Sequence, residues 1–350
     1  MANLNVNYSA KINSLLSELP DFVSDFIYNF GSSSKYMTKL EYTRDIKDFL
    51  QFMINFMPEH SEKQLKDITL ADMDNIKPLD INRYLTLLEG DETNGLKPTT
   101  VKRRRAAISS MYGFLLNSGK LSKNPVLAAR TIEVPDRKVV YLTDEEQDLL
   151  LETVRSGAGL KGEVLNRHNI YATRDSAMFL LILDTGLRVS EMLSTDICDY
   201  DLENGCVTVI RKGGDTDIVY YSDECTEYLY EYFSAQRTKY GLEDAYIPAF
   251  TTSTGKRLGV RAVETLVKKY VGACMEGKVK QISPHKLRSS FAMSFYSESG
   301  KDILLLKTRM HHSSIATTNL YAQALDDDVK DSRNLLQNRR RRAKSDPKRK

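Results

Sequence analysis

Between Pro125 and Tyr141 the apolar residues lose the helical spacing that governs the chain on either side, and this interruption constrains the fold more than any other feature. Pro125, Pro135 and the polar run Asp136-Arg137-Lys138 punctuate it. It ends in a capping box, Thr143-Asp144-Glu145-Glu146. Glu146 stands three residues past the Thr143 cap and opens a helix through Leu151. A chain of 350 residues is long for one domain and comfortable for two. The expected organisation is a helical domain over 16–134, a linker over 135–142 and a second domain over 143–337. Residues 1–15 would form an N-terminal extension and 338–350 a basic, disordered tail.

The first domain reads as helices. Tyr42, Ile46, Phe49, Leu50 and Met53 recur at helical spacing, with Arg44, Asp45, Lys47 and Asp48 between them. Ser32-Ser33-Ser34 marks a loop before that helix. A second helix is expected from Thr99 to Asn117, capped by Thr99 or Thr100, with Val101, Ile108, Met111, Tyr112 and Leu115 on its apolar face. Lys102, Arg103, Arg104 and Arg105 follow its start. Four successive residues sweep around a helix, so some must face water. They read equally as a solvated face or as a phosphate-contacting patch.

The second domain is mostly helical with one hairpin. Cys206–Arg211 is rich in β-branched residues, Asp217–Tyr221 is its partner, and 212–216 (KGGDT) supplies the turn. Helices are expected at about 224–239, 259–274, 286–298 and 302–309. The fold class is therefore mainly α, with a small β-hairpin or sheet.

Hydrophobic residues are 41% of the chain and charged residues 28%, which argues against wholesale disorder. No secretory signal is expected from residues 1–30, and apolar runs such as Ala177–Leu183 fall far short of a membrane span. Cys198, Cys206, Cys225 and Cys274 lack CxxC or Cys/His ligand spacing, so free thiols in a reducing cytoplasm are expected, with no metal and no cofactor. The net charge is +3, but residues 339–350 hold eight Lys or Arg against one Asp. That segment carries +7 and the other 338 residues −4. So dense a cationic block seeks a polyanion, unless it only solubilises the chain.

Three segments of the second domain carry chemistry. In 184–191 (DTGLRVSE) an apolar helix ends at a Gly turn and a new helix begins near Arg188. A cation there opposes the helix dipole unless it faces an anion or pairs with Glu191 or Asp184. In 283–288 (SPHKLR), His285 and Arg288 stand three apart at a helix opening, a proton carrier beside a bidentate clamp. In 311–321 (HHSSIATTNLY) two of the chain's five histidines precede Tyr321, itself one of 19 tyrosines.

Each segment alone is weak. Their ordered set resembles the tyrosine recombinase (lambda-integrase) family: Arg188, the hairpin-turn Lys212, His285-x-x-Arg288, then His312 with Tyr321 nine residues later. TGLRVSE resembles that family's first arginine motif, HKLRSSFA its His-x-x-Arg motif and HHSSIATTNLY its closing motif. KPTTVKRRRAAISSMYGFLL is similar to its core-binding domain, and the resemblance covers roughly residues 16–337. Three departures stand out. Met310-His311-His312 replaces the frequent Leu-Gly-His, Arg211 precedes the hairpin lysine where Gly is usual, and Ser289 follows the His-x-x-Arg motif. Spacing favours His312 over His311 as the functional histidine.

The resemblance implies a two-domain, Xer-like protein with a SAM-like helical core-binding domain. It implies a site-specific recombinase that cuts and rejoins duplex DNA at a core site through a 3′-phosphotyrosyl bond to Tyr321, without metal or ATP, as a tetramer on DNA. Arg188 and Arg288 would clamp the phosphoryl oxygens and His312 would donate to them. His285 would act as base and Lys212 as acid, with Glu191 and His311 in support. Two other readings use the same residues: a type IB topoisomerase-like relaxing enzyme, and a DNA-binding module that has lost catalysis.

Overall fold

The computed structural model describes residues 2–30, 36–91, 94–135, 139–211, 214–240, 247–311 and 321. They divide into two compact units, Met1–Asp136 and Arg137–Lys350.

The first unit is all helical: α1 (Ala2–Leu16), α2 (Asp21–Asn29), α3 (Tyr36–Phe56), α4 (Leu70–Asn75), α5 (Pro78–Glu89), α6 (Pro98–Asn117) and α7 (Pro125–Ala128). The helical period seen in the sequence turns Ile46, Phe49, Leu50 and Met53 of α3 onto the core, where Phe49 meets Tyr84 of α5 edge-on at 5.2 Å. On α6 the buried Tyr112 satisfies its hydroxyl by donating to the carbonyl of Met73 at 2.9 Å. Helix α1 packs on α3 and buries Ile12 and Leu16 in this core. One expectation is corrected. Neither Thr99 nor Thr100 caps α6: Pro98 occupies the first helical position, where its fixed φ and missing N–H fit, so Lys97 is the cap.

The second unit comprises α8 (Asp144–Ser156), α9 (Gly162–Thr185), α10 (Val189–Met192), β1 (Tyr200–Asp201), β2 (Cys206–Ile210), β3 (Thr216–Tyr220), α11 (Asp223–Tyr240), α12 (Val260–Cys274), α13 (Pro284–Glu298) and α14 (Ile303–Met310). The Thr143 box starts α8 as read: the Thr143 amide donates to Glu146 Oε2 at 3.1 Å, and the hydroxyl accepts from the Glu146 amide. Helix α9 is the spine, packed by α8, α11 and α13. Its Ala177–Leu183 turns are buried on every side, which a solvent-facing helix never is. Each fully buried side chain there, such as Phe179 or Leu181, contributes roughly 1.5–3 kcal/mol.

The sheet is antiparallel in the order β1-β2-β3. Its register pairs Val207 with Val219 and Val209 with Asp217, so one face carries these residues inward. Beyond the last pair, Ile210 with Thr216, the Arg211 amide donates to the Asp215 carbonyl at 2.7 Å and starts the turn. The alternation that buries Val207 and Val209 continues one step and buries Arg211.

Candidate functional site

The site is assembled where α9, α10, β3, α13 and α14 end or begin. At the end of α9, Gly186 adopts φ 62° and donates its amide to the Ile182 carbonyl, reversing the chain. The reversal presents Arg188 as the cap residue of α10, and its amide donates to Glu191 Oε2 at 3.2 Å. The Arg188 guanidinium reaches Glu191 Oε1 at 2.6 Å, while 39% of its side chain stays exposed. Glu191, by contrast, is buried, and its second oxygen accepts from Arg211 at 2.8 Å. Burial alone would push its carboxyl pKa up. The hydrogen bond from Arg188 and the charges of Arg188 and Arg211 outweigh that and hold it below the usual range.

Arg211 also forks onto Asp217, with Nε at 2.9 Å and the second terminal nitrogen at 2.7 Å from the same oxygen. That oxygen lies 3.2 Å from Nδ1 of His311, an exposed residue with φ 50° that ends α14. Polar contacts thus run unbroken from Arg188 through Glu191, Arg211 and Asp217 to His311. Arg309 approaches the same strand and donates to the Tyr220 carbonyl at 2.5 Å.

Arg288, on the first turns of α13, is almost wholly buried. It donates to the carbonyls of Gly186 and Met310, the latter at 2.6 Å, both at C-terminal helix ends where carbonyls lack intrahelical partners. Burial pushes its pKa down to about 10, and the neighbouring charge of Arg188 pushes the same way. Glu191 and Tyr321 act in opposition, so all of these groups lie within electrostatic reach of one guanidinium. Even so lowered, Arg288 is a cation at neutral pH. Tyr321 is buried among Phe291, Met293, Tyr296, Leu306 and Met310.

His285 stands exposed at the second position of α13, in a different environment from the buried Arg288. Lys212 and His312 lie outside the described residues, as does the basic tail. In the first unit the expected basic patch is mostly engaged. Arg103 pairs with the buried Asp45 and, at 3.6 Å, with Glu41. Arg104 reaches Asp48 at 2.7 Å, and Arg105 donates to the carbonyls of Val126, Ala129 and Arg130. Lys102 is exposed.

Three residues that meet at this site were not among the sequence candidates: Arg211, Asp217 and Arg309. Arg211 had a readable signal, since the period of two in Val207-x-Val209-x-Arg211 sends it to the buried face. Among the described residues no helix is long and apolar enough to cross a membrane, and no group of three His, Cys, Asp or Glu could hold a metal.

The profile of the phage integrase family matches residues 141–327. A tyrosine recombinase XerD from Oceanobacillus iheyensis is 32% identical over 302 residues, 84% of this chain and 90% of that one. A tyrosine recombinase XerC from Caldanaerobacter subterraneus subsp. tengcongensis is 30% identical over 273 residues, 77% and 71% of the respective chains. Among solved structures, the Tn1549 transposon integrase in complex with a circular intermediate DNA shares the fold. Its TM-score is 0.65 at 18% identity, covering 90% of this chain and 98% of that one.

Proposed function

This chain belongs to the phage integrase family, the tyrosine recombinases, and on that premise we propose that Tyr321 is the nucleophile with which it breaks and rejoins DNA. The Tyr321 phenol oxygen attacks the scissile phosphorus and gives up its proton, with His285 as the base. The bond from phosphorus to the 5′ oxygen breaks, and Lys212 protonates the departing oxygen. The product is a 3′-phosphotyrosyl bond and a 5′-hydroxyl. The phosphodiester energy is retained, so attack by another 5′-hydroxyl reverses the step without ATP.

Attack loads negative charge on the two non-bridging oxygens, and a fixed cationic cradle lowers that barrier. Arg188 and Arg288 form the cradle, His312 donates a further hydrogen bond, and Glu191 and His311 orient the set. One observation carries the reading: the buried Tyr321 packs in one cluster with Met310, whose carbonyl is held by the buried Arg288 together with that of Gly186, two residues before Arg188.

The substrate is duplex DNA with a specific core site, acted on by a homotetramer. Bound duplex in solved structures of the same fold, the Tn1549 integrase with circular intermediate DNA and XerH with its difH substrate, supports the DNA part of this reading. Of the basic run on α6, the exposed Lys102 contributes a phosphate contact. A cytoplasmic location belongs to the same reading, supported by four cysteines that are all free thiols.

The test uses a duplex recovered by binding selection from a randomised pool and nicked beside the cleavage position. The short fragment released by attack then diffuses away and traps the adduct. The wild-type chain should give a denaturation-resistant protein–DNA adduct, and exchanged strands when two sites are supplied. Tyr321→Phe should bind the duplex and form none. An adduct that persists in Tyr321→Phe would remove Tyr321 from the reaction.

A further inference from the structure

We propose that Arg211 is a positioning residue for strand cleavage: by spanning Glu191 and Asp217 it keeps Arg188 directed at the scissile phosphate. The inference rests on Arg188 being a phosphate clamp, as assigned above.

Arg211 stands on a strand face that is otherwise built to be apolar. Val207 and Val209 occupy the two preceding inward positions, and both are buried. A guanidinium in their company loses several kcal/mol of hydration, and buried ion pairs are often no more stabilising than apolar residues of the same size. Stability alone therefore gives little reason for an arginine here. Its fork does what no apolar side chain can. One terminal nitrogen holds Glu191, and Nε with the other terminal nitrogen holds Asp217, so two carboxylates from α10 and β3 are fixed in one plane.

The consequence for Arg188 is electrostatic as well as geometric. Glu191 divides its two oxygens between Arg188 and Arg211. The formal charges of Arg188, Glu191, Arg211 and Asp217 cancel. Without Arg211 the same set carries −1 beside the place where an anionic phosphate must bind, and Glu191 is left with Arg188 as its main counter-charge. Arg188 would be drawn down onto the carboxylate. Arg309, also within reach of Asp217, neutralises that end only, and the exposed His311 does so only when protonated. Arg211 is too deeply buried to touch DNA itself, so its action passes through Arg188.

Single-turnover cleavage on the selected nicked duplex tests this with two versions of the scissile linkage, a normal phosphate and an uncharged methylphosphonate. On the phosphate, Arg211→Ala should cleave on the order of 10²-fold more slowly, the scale expected for a displaced catalytic group, with duplex affinity retained. On the methylphosphonate there is little charge to clamp, so the deficits of Arg188→Ala and Arg211→Ala should shrink together. Arg211→Lys keeps the charge but cannot bridge both carboxylates. It should show a smaller deficit with the same substrate dependence, and it supplies the test if the alanine variant does not fold. Equal deficits on the two substrates, or none, would overturn the proposal. If Arg188→Ala itself cleaves the phosphate normally, the assignment of Arg188 is what fails. If Arg188→Ala is slow and the Arg211 variants are not, only the present inference falls.

Discussion

Arg288 donates from one terminal nitrogen to the carbonyl oxygen of Met310 at 2.6 Å, tying the first turns of α13 to the last residue of α14. Its other terminal nitrogen holds the Gly186 carbonyl at the end of α9. One planar guanidinium thus joins three helix ends around Tyr321. Lysine offers a compact ammonium that cannot span both carbonyls. Arg288→Lys should therefore slow cleavage by on the order of 10²–10³-fold, the usual effect of removing one pre-placed donor to a developing anion. A carbonyl left unpaired in the buried site should also lower the melting temperature, consistent with a loss of roughly 1–3 kcal/mol. Single-turnover cleavage and thermal unfolding measure the two effects separately. Normal cleavage with only a lowered melting point would make Arg288 purely structural.

The first unit should carry its own pH dependence through Asp45. Burial raises this carboxyl to about 6, against the opposing charges of Arg103 and Arg104, while Glu41 and Asp48 add to the rise. The folded state then binds the proton more tightly than the unfolded chain, whose value is 3.8. Stability is therefore highest below about pH 4 for this group and falls as pH climbs through 6, by about 2–3 kcal/mol in total. Asp45→Asn has nearly the same shape and cannot ionise. Melting curves of the two proteins between about pH 4 and 7.5 should diverge, with the wild type losing stability relative to the variant as pH rises. Parallel curves would mean that Asp45 titrates as an ordinary carboxylate.

The fold was legible wherever a period was long enough to register. The stripe from Tyr42 to Met53 marked α3, and the Thr143 box marked the start of α8. Strand β1 has two residues, too few for any alternation to appear. Helix α9 extends back to Gly162 because its first half carries charges between its apolar residues, whereas only the uniformly apolar Ala177–Leu183 stood out. At the site, Arg188 and Arg288 were marked by motif and Glu191 as a pairing partner three residues past Arg188. Asp217 was not, since its partner Arg211 was read as part of a strand rather than as a buried cation. An ion pair across a turn depends on which face the strand presents, and that is settled by packing.

The four basic residues of α6 separate into different physical roles, so they should fail in different assays. Lys102 is exposed and should act on DNA through charge alone. Lys102→Ala should weaken duplex binding and reduce the slope of log affinity against log salt by about 1. Arg105 instead holds three carbonyls beside α7, including Val126 at 2.6 Å and Arg130 at 3.0 Å. Arg105→Ala should lower the stability of the first unit by roughly 1–3 kcal/mol with little change in the salt slope. Binding titrations over a salt series and thermal melts decide between them. A salt slope unchanged in Lys102→Ala would leave that residue as a solvated side chain only.

Gly186 is the sharpest steric test of the site. Its φ of 62° already disfavours any other residue, and a Cβ there would fall 2.3 Å from Cδ1 of Phe291 and 3.1 Å from Sδ of Met310. Neither neighbour can yield cheaply, because Phe291 and Met310 pack in the cluster that buries Tyr321, and the Met310 carbonyl holds Arg288. Backbone strain and overpacking each cost about 1–3 kcal/mol, so Gly186→Ala should lower the melting point of the second unit and slow cleavage together. Gly113, inside α6, is the control: an added Cβ there meets nothing within 4 Å. Gly113→Ala should raise stability by roughly 0.5–1 kcal/mol through the lost freedom of the unfolded chain. If Gly186→Ala behaves like Gly113→Ala in thermal melts and in cleavage, the close approach of α9, α13 and α14 is not what holds Arg288 in place.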